Sequence, residues 1–471
     1  MKLFSKGWLS LVLAVAVLIG SFSFLIAGGV LRGVMDTFKL MGDLGISIES
    51  VKEVLSGNLG GDLGALFPLG GDDGGDDDGG DNDGGDPPYV PSVPAVGEIS
   101  ELSRVLTDTL VSLEDEVDIS ALGLSKDEVR EHMNQFLFTN PRFFYVSTGY
   151  EIQTDQSTGE VHRIRFHYVY EEEVIPVALA QYESIIDQIV AGAPESGSEF
   201  ECVLYLHDYL IKNFSYDYRP VSDDQLIRDA YRFFTEKTGV CQAYMLAFIA
   251  LCTEMGIECL PVTSEEMKHA WNLVKLDGEW YHVDVTFDDA GGETSPVYPC
   301  YTNYRYFLLS SEALWSSGRQ VPFTATEQAT DTRYDNALWH GANTPMIKHG
   351  EEYFFAIWDE LEGTAICRGT PEAQSKVKYL TDARWQTEGG FYRAAWVSLV
   401  SHGDVLIFNT NDSFCTFDPV TGLVNELDSL GFYLGTKQIF GISAYDGTYI
   451  TYVAAQGYHG VFDLRTYRIS V

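Results

Sequence analysis

Cys241, His269 and Asp284 fall within one stretch, Lys237 to Asp289, and their types suit one chemistry. A thiol is a strong nucleophile only as the thiolate, an imidazole can take its proton, and a carboxylate can orient the imidazole. The residues around each one predict the element that must carry it.

Cys241 opens the segment CQAYMLAFIALCTEMG, whose apolar residues run almost all round from Ala243 to Leu251, which predicts a buried helix. Gly239 supplies the tight turn before it, and Gly256 is placed to end it in the left-handed region. Cys241 then lies in the first helical turn, where free N–H groups and the helix dipole favour a thiolate and an oxyanion. His269 begins KHAWNLVKL, and Asp284 lies in EWYHVDVTFDD. Between them Asp277-Gly278 signals a two-residue hairpin turn. With that turn Trp271 faces Asp284, and His269 is on the same face one diagonal away, within side-chain reach. His282 shares the face and is the rival base; His269 is favoured because it stands at the open end of the hairpin, where a separate helix can present Cys241.

KTGVCQAYMLAF, KHAWNLVKLDGEWYHVDVTFDD and the upstream LHDYLIKNFSYD together resemble the transglutaminase-like superfamily, in particular its exported bacterial branch with papain-like chemistry. The resemblance covers about residues 98–315. It implies that Cys241 is the nucleophile, His269 the general base and acid, and Asp284 the residue that orients the imidazole. It also implies an oxyanion site formed by the cysteine's own N–H and an upstream donor, here Tyr216 or a neighbouring aromatic. Gln242 follows the nucleophile as in many relatives. Ala243 stands where those relatives often carry glycine, which is expected to narrow the mouth of the site. Trp271 and Asn272 are expected to shape the site. The implied reaction is acyl transfer through a thioester, whose acceptor is an amine in a transglutaminase and water in a protease or amidase. The triad itself requires no metal and no cofactor.

The chain has 471 residues, 30 basic and 69 acidic, for a formal charge of −39. Such a balance argues against nucleic-acid binding, since little could neutralise a row of phosphates. Lys2 and Lys6 precede a charge-free run from Gly7 to Leu31, long enough to span a bilayer. Residues 1–33 are therefore expected to be a membrane anchor or a cleaved signal, with the bulk of the chain at the cell surface or secreted. Residues 34–97, including GGDDGGDDDGGDNDGGDPP, read as a flexible Gly/Asp/Pro-rich linker. The aspartates do not recur with the apolar spacing of a calcium-loaded β-roll. Seven cysteines show no close metal-ligand spacing, and no disulfide is assigned among them.

Folding is expected from residue 98. An α+β support region covers 98–195, with helical periodicity from Ser100 to Gly123, a second helix capped by Ser125, a hairpin around TDQSTGE and a helix over 177–191. The catalytic core follows over 196–325, and a β-rich module over 326–471. In that module HGDVLIF and DGTYITY mark a repeat of about 44 residues, the size of a propeller blade. Three copies suit a propeller-like module or a sandwich. His207, on the apolar face of its helix, reads as structural. The fold class is thus α+β: a papain/transglutaminase-like core with an N-terminal α+β extension and a C-terminal all-β module. The function expected is a cysteine acyltransferase or peptidase acting on protein or peptide substrates at the cell surface. A non-catalytic surface protein that uses the same fold for binding is the alternative.

Overall fold

The computed structural model describes residues 96–195, 197–220, 226–289, 300–318, 321–380, 383–387, 389–457 and 462–469. The chain divides into a unit up to Gly84 and a unit from Gly85, and all the described residues belong to the second. The expected membrane segment and nearly all of the expected linker therefore lie outside the described residues. Among the described residues no helix is long and apolar enough to cross a membrane.

The N-terminal part begins with helix α1 (Val96–Val111) and strand β1 (Glu116–Asp118). Helical periodicity predicts helix as far as Gly123. The chain instead turns at Leu113, with φ +56°, and β1 pairs with β3. The Glu116 carboxylate bridges Arg163 at 3.0 Å and Arg165 at 2.9 Å, so cross-strand charge pairing overrides local periodicity here. Helix α2 (Lys126–Thr139) starts with a reciprocal capping box between Ser125 and Glu128. Strands β2 (Glu151–Thr154) and β3 (Val161–Arg165) form the expected hairpin, and helix α3 (Ile175–Val190) follows.

The central part holds helix α4 (Glu199–Asn213), strand β4 (Ser215–Tyr216), helix α5 (Ala230–Glu236), strand β5 (Thr238–Gly239) and helix α6 (Cys241–Glu254). Strands β6 (Cys259–Ser264), β7 (His269–Leu276), β8 (Glu279–Val283) and β9 (Phe307–Leu309) make an antiparallel sheet in that order. Helices α7 (Val285–Asp288) and α8 (Ser311–Ser316) flank β9 in sequence. Every residue of α6 from Ala243 to Cys252 is buried, as its all-round apolar sequence demands. The helix ends in a Schellman turn: Gly256 has φ +71°, its N–H bonds Thr253 O, and the Ile257 N–H bonds Cys252 O.

The C-terminal part is all β. Strands β10 (Ile347–His349), β11 (Glu352–Asp359), β12 (Gly363–Gly369) and β13 (Gln374–Leu380) form one antiparallel meander. A two-stranded ribbon, β14 (Gln386–Thr387) with β15 (Gly390–Phe391), precedes the second meander, β16 (Leu399–His402), β17 (Val405–Asn409), β18 (Ser413–Phe417) and β19 (Val424–Ser429). The third comprises β20 (Gln438–Tyr445), β21 (Tyr449–Ala455) and β22 (Phe462–Arg468). The sequence repeat marks the first hairpin of each unit, where Gly350, Gly403 and Gly447 all take positive φ. Side chains link these hairpins in turn: His349 Nδ1 lies 2.8 Å from Ser401 Oγ, and His402 bonds Tyr445. Three such sheets do not by themselves close a propeller.

The apolar core crosses residue 326 without a break. Phe200 on α4 packs on Trp339 and Tyr353, with ring centroids 5.5 and 5.4 Å away, and Lys348 pairs with Glu201 at 2.6 Å. The first meander thus supports the helix that lies behind the candidate site.

Candidate active site

Cys241 is delivered by β5, which pairs in parallel with β4 through Tyr216 and Gly239. A Cβ on Gly239 would lie 2.7 Å from the Phe233 ring and 2.8 Å from the Ala243 Cβ, so this position has room for hydrogen alone. Val240 is the N-cap of α6, which places Cys241 and Gln242 at its first positions, where their N–H groups have no intrahelical acceptor. Both side chains are half-buried. Ala243, expected to narrow the mouth of the site, is fully buried with its Cβ against Gly239.

The hairpin obeys the predicted register. Asp277 and Gly278 both take positive φ, at 51° and 87°, and Leu273 pairs with His282 and Asn272 with Val283. The ladder ends there, and Asp284 becomes the N-cap of α7, its Oδ1 accepting the Phe287 N–H at 3.0 Å. Its Oδ2 lies 2.7 Å from His269 Nε2. Nδ1 is the ring nitrogen this leaves for the Cys241 thiol, and the two groups shift each other's protonation. Asp284 is 1 % exposed, so this carboxylate serves the imidazole inside the protein and not in solvent.

Opposing forces set the protonation of this group. Burial pushes the Cys241 thiol up, but the His269 hydrogen bond and charge and the Ala270 N–H outweigh it, leaving the thiol below its usual range. Burial pushes His269 down, whereas the charge and hydrogen bond of Asp284, then those of Cys241, raise it to about 9. Both shifts run toward a thiolate–imidazolium pair.

His282, the rival base, is turned the other way. Trp271 Nε1–H donates to His282 Nδ1 at 3.1 Å, and His282 Nε2 lies 3.0 Å from Ser311 Oγ. An indole N–H can only donate, so Nδ1 is an acceptor and this imidazole is held neutral, as a prop for Trp271. The indole of Trp271 stacks on the His269 ring with centroids 5.6 Å apart, and Phe287 meets that ring edge-on at 4.5 Å. Asn272 Nδ2 donates to Met245 O at 3.1 Å and so fastens the sheet to α6. Tyr216 is half-buried beside Cys241; burial first, then the neighbouring Cys241 and Tyr218, hold its phenol far above the usual range. It therefore keeps its proton and can donate.

Two buried pairs near the site go beyond the sequence reading, which gave Tyr244, Asp288 and Asp289 no role and read His207 as structural. Tyr244, one turn after Cys241, donates its hydroxyl to Asp289, and both are buried. His207 and Asp288 form a buried pair at 3.2 Å. The signal for both was spacing: Tyr244 lies one helical turn from the nucleophile, and Asp288 one turn from Asp284. A cavity of about 500 Å³ lined by Glu114, Glu116, Tyr168 and Tyr170 lies at the N-terminal sheet and contains none of the triad residues.

The fold thus brings a thiol at a helix start together with an imidazole and a buried carboxylate on an antiparallel hairpin. Residues 183–285 match the model of the Transglutaminase-like superfamily, and this segment is a transglutaminase-like domain. The chain is similar to the kyphoscoliosis peptidase of Mus musculus, 26% identical over 137 residues, which cover 26% of this chain and 21% of that protein. It is likewise similar to the kyphoscoliosis peptidase of Homo sapiens, 25% identical over 150 residues, covering 28% and 22% respectively. The chain thus spans about a fifth of the length of these curated relatives. Among solved structures, one titled as a TGase aligns over 37% of this chain and 51% of its own at 13% identity and TM-score 0.22. One titled as a cysteine protease, from Cytophaga hutchinsonii, aligns over 29% and 61% at 15% identity and TM-score 0.19.

Proposed function

We propose that this protein is a cysteine-dependent acyl-transfer enzyme acting on protein or peptide amides outside the cytoplasm. One observation carries the reading: His269 sits 2.7 Å from the buried carboxylate of Asp284 and lowers the thiol that opens α6. Lys2, Lys6 and the apolar run after them support this location.

The Cys241 thiolate adds to the amide carbonyl carbon, and the carbonyl π pair moves to oxygen. The Cys241 N–H and the Tyr216 hydroxyl are the donors for that oxyanion. When the oxyanion collapses, the C–N bond breaks and the amine leaves with the proton from His269, giving a thioester. Neutral His269 then takes a proton from water or from an amine, which attacks the thioester and releases the thiolate. Asp284 holds the imidazole in one orientation throughout. The curated relatives are named peptidases, which makes water the first acceptor to test and an amine the second.

Incubation of the full chain with a glutamine-bearing protein and a biotinylated primary amine tests both. Fragments, or biotin incorporated into the protein, are expected, and both disappear in Cys241→Ala. The reading fails if neither product forms and Cys241 alkylates no faster than an ordinary exposed thiol. That result would leave a binding protein that keeps the fold without the chemistry.

A further inference from the structure

Behind the site is a charged network that the reaction steps do not use. His207, on α4, is fully buried. Its Nε2 lies 3.2 Å from Asp288 Oδ2, and its Nδ1 lies 3.4 Å from Asp208 Oδ1. Asp208 Oδ2 accepts from Lys212 Nζ at 2.9 Å and from the Tyr304 hydroxyl at 3.1 Å. The imidazole ring lies on Tyr304 and Phe307, with centroids 5.5 and 4.8 Å away. These are the titratable and charged groups that face it: Asp208 and Lys212 from its own helix, Asp288 from α7, and Tyr304 from the segment before β9.

Asp288 closes the single helical turn that Asp284 caps. The Asp288 N–H bonds Asp284 O at 3.1 Å. The backbone of Tyr306 spans the same turn: its N–H donates to both Asp288 oxygens, at 3.0 and 3.1 Å, and its carbonyl accepts the Asp284 N–H at 3.0 Å. A turn of four residues has little rigidity of its own. What holds it is the anchored carboxylate at its far end. Burial of an ion pair is costly, and a hydrophobic pair of the same volume would serve stability at least as well. A fixed, directional anchor is what the ion pair adds.

We propose that His207 is a positioning residue for acyl transfer: through Asp288 and the turn Val285–Asp288 it fixes the Asp284 carboxylate against His269. The inference rests on the triad reading above. Support comes from the electrostatics. Burial pushes His207 down, but its bonds to Asp208 and Asp288 and their charges outweigh this and raise it. Burial raises Asp288 to about 6 against the pull of His207 and the Tyr306 N–H. The His207 shift favours the imidazolium, in which both ring N–H groups donate to carboxylates.

The test is site-resolved alkylation of Cys241 by iodoacetamide against pH in the full chain, read by peptide mass spectrometry. The variants are His207→Gln, Asp288→Asn, Asp284→Asn and each of the first two combined with the third. His207→Gln is expected to move the alkylation curve to higher pH and so, through the smaller thiolate fraction, to slow alkylation at pH 7 by about 10- to 100-fold. In the Asp284→Asn background the same change is expected to add nothing, because its effect passes through Asp284. An equal loss in both backgrounds would reduce His207 to a structural role and overturn the proposal. If His207→Gln does not fold, Asp288→Asn decides, since its amide oxygen still accepts from Tyr306 but the charge is gone. A wild-type alkylation curve in that variant also overturns the proposal. A wild-type Cys241 no more reactive than a free thiol sinks the triad reading itself; a reactive Cys241 indifferent to both variants sinks only this one.

Discussion

At the residue scale, the proposed reaction would use a proton on His269 and a charge on Cys241, and the two readouts of that pair separate with pH. Amide turnover needs thiolate and imidazolium together. It rises with pH as the depressed Cys241 thiol ionises and falls as His269 loses its proton near pH 9. Alkylation by iodoacetamide needs only the thiolate, so it is expected not to fall above that pH. Asp284→Asn removes the strongest influence that raises His269. The alkaline limb of turnover should then move to lower pH, and turnover at pH 7 should drop by about 10²-fold or more. Paired pH profiles of turnover and alkylation check this; an alkaline limb that stays put in the variant would contradict it. Trp271 gives a second case. Trp271→Phe keeps a ring against His269 but removes the donor to His282. Loss of this buried hydrogen bond is expected to cost about 0.5–1.5 kcal/mol in unfolding free energy, measured by denaturant titration.

At the element scale, the position of the nucleophile depends on how closely β5 passes α5 and α6. Gly239→Ala would put a methyl group within 2.8 Å of two side chains and 3.2 Å from Ile227 O. The helix start must then shift. Overpacking of this kind costs about 1–3 kcal/mol, and Cys241 alkylation should slow along with it. Equilibrium unfolding and alkylation of the same variant test both parts; unchanged alkylation in a destabilised variant would show that the thiol is held by the helix and not by the strand before it. The hairpin is the sturdier element. Its type I′ turn, its register and the tie from the Asp277 N–H to Glu199 at 2.7 Å all agree.

At the scale of the whole molecule, the all-β part serves the site through α4. Trp339 is 1 % exposed and packs against Phe200 and Tyr334, and the strand beside it supplies Tyr353 to the same cluster. Trp339→Ala is expected to destabilise by about 3–5 kcal/mol, the usual cost of removing a buried large aromatic. Because α4 also carries His207, this variant should slow Cys241 alkylation although Trp339 is not among the site residues. Denaturant unfolding followed by far-UV signal, with alkylation on the folded fraction, measures both. A drop in stability with wild-type alkylation would show that α4 holds its position without the first meander.

The sequence by itself determined the local elements that present chemistry. Helix α6 was legible because its apolar residues leave no solvent face and Gly256 gives it an end. The hairpin was legible because Asp277-Gly278 permits one tight turn, and parity then brings His269 to the side of Asp284. Only the tertiary structure decided which histidine meets the thiol, because His269 and His282 share a strand face and differ in what packs over them. It also decided the buried His207–Asp288 pair, whose members lie 81 residues apart. Local periodicity could not reveal that the stretch after Val111 turns back as a strand, because its partner arginines lie almost 50 residues further on. Sequence fixes what a segment prefers over a few turns; contacts between distant segments, where buried charge must find its partner, are settled only when the chain closes on itself.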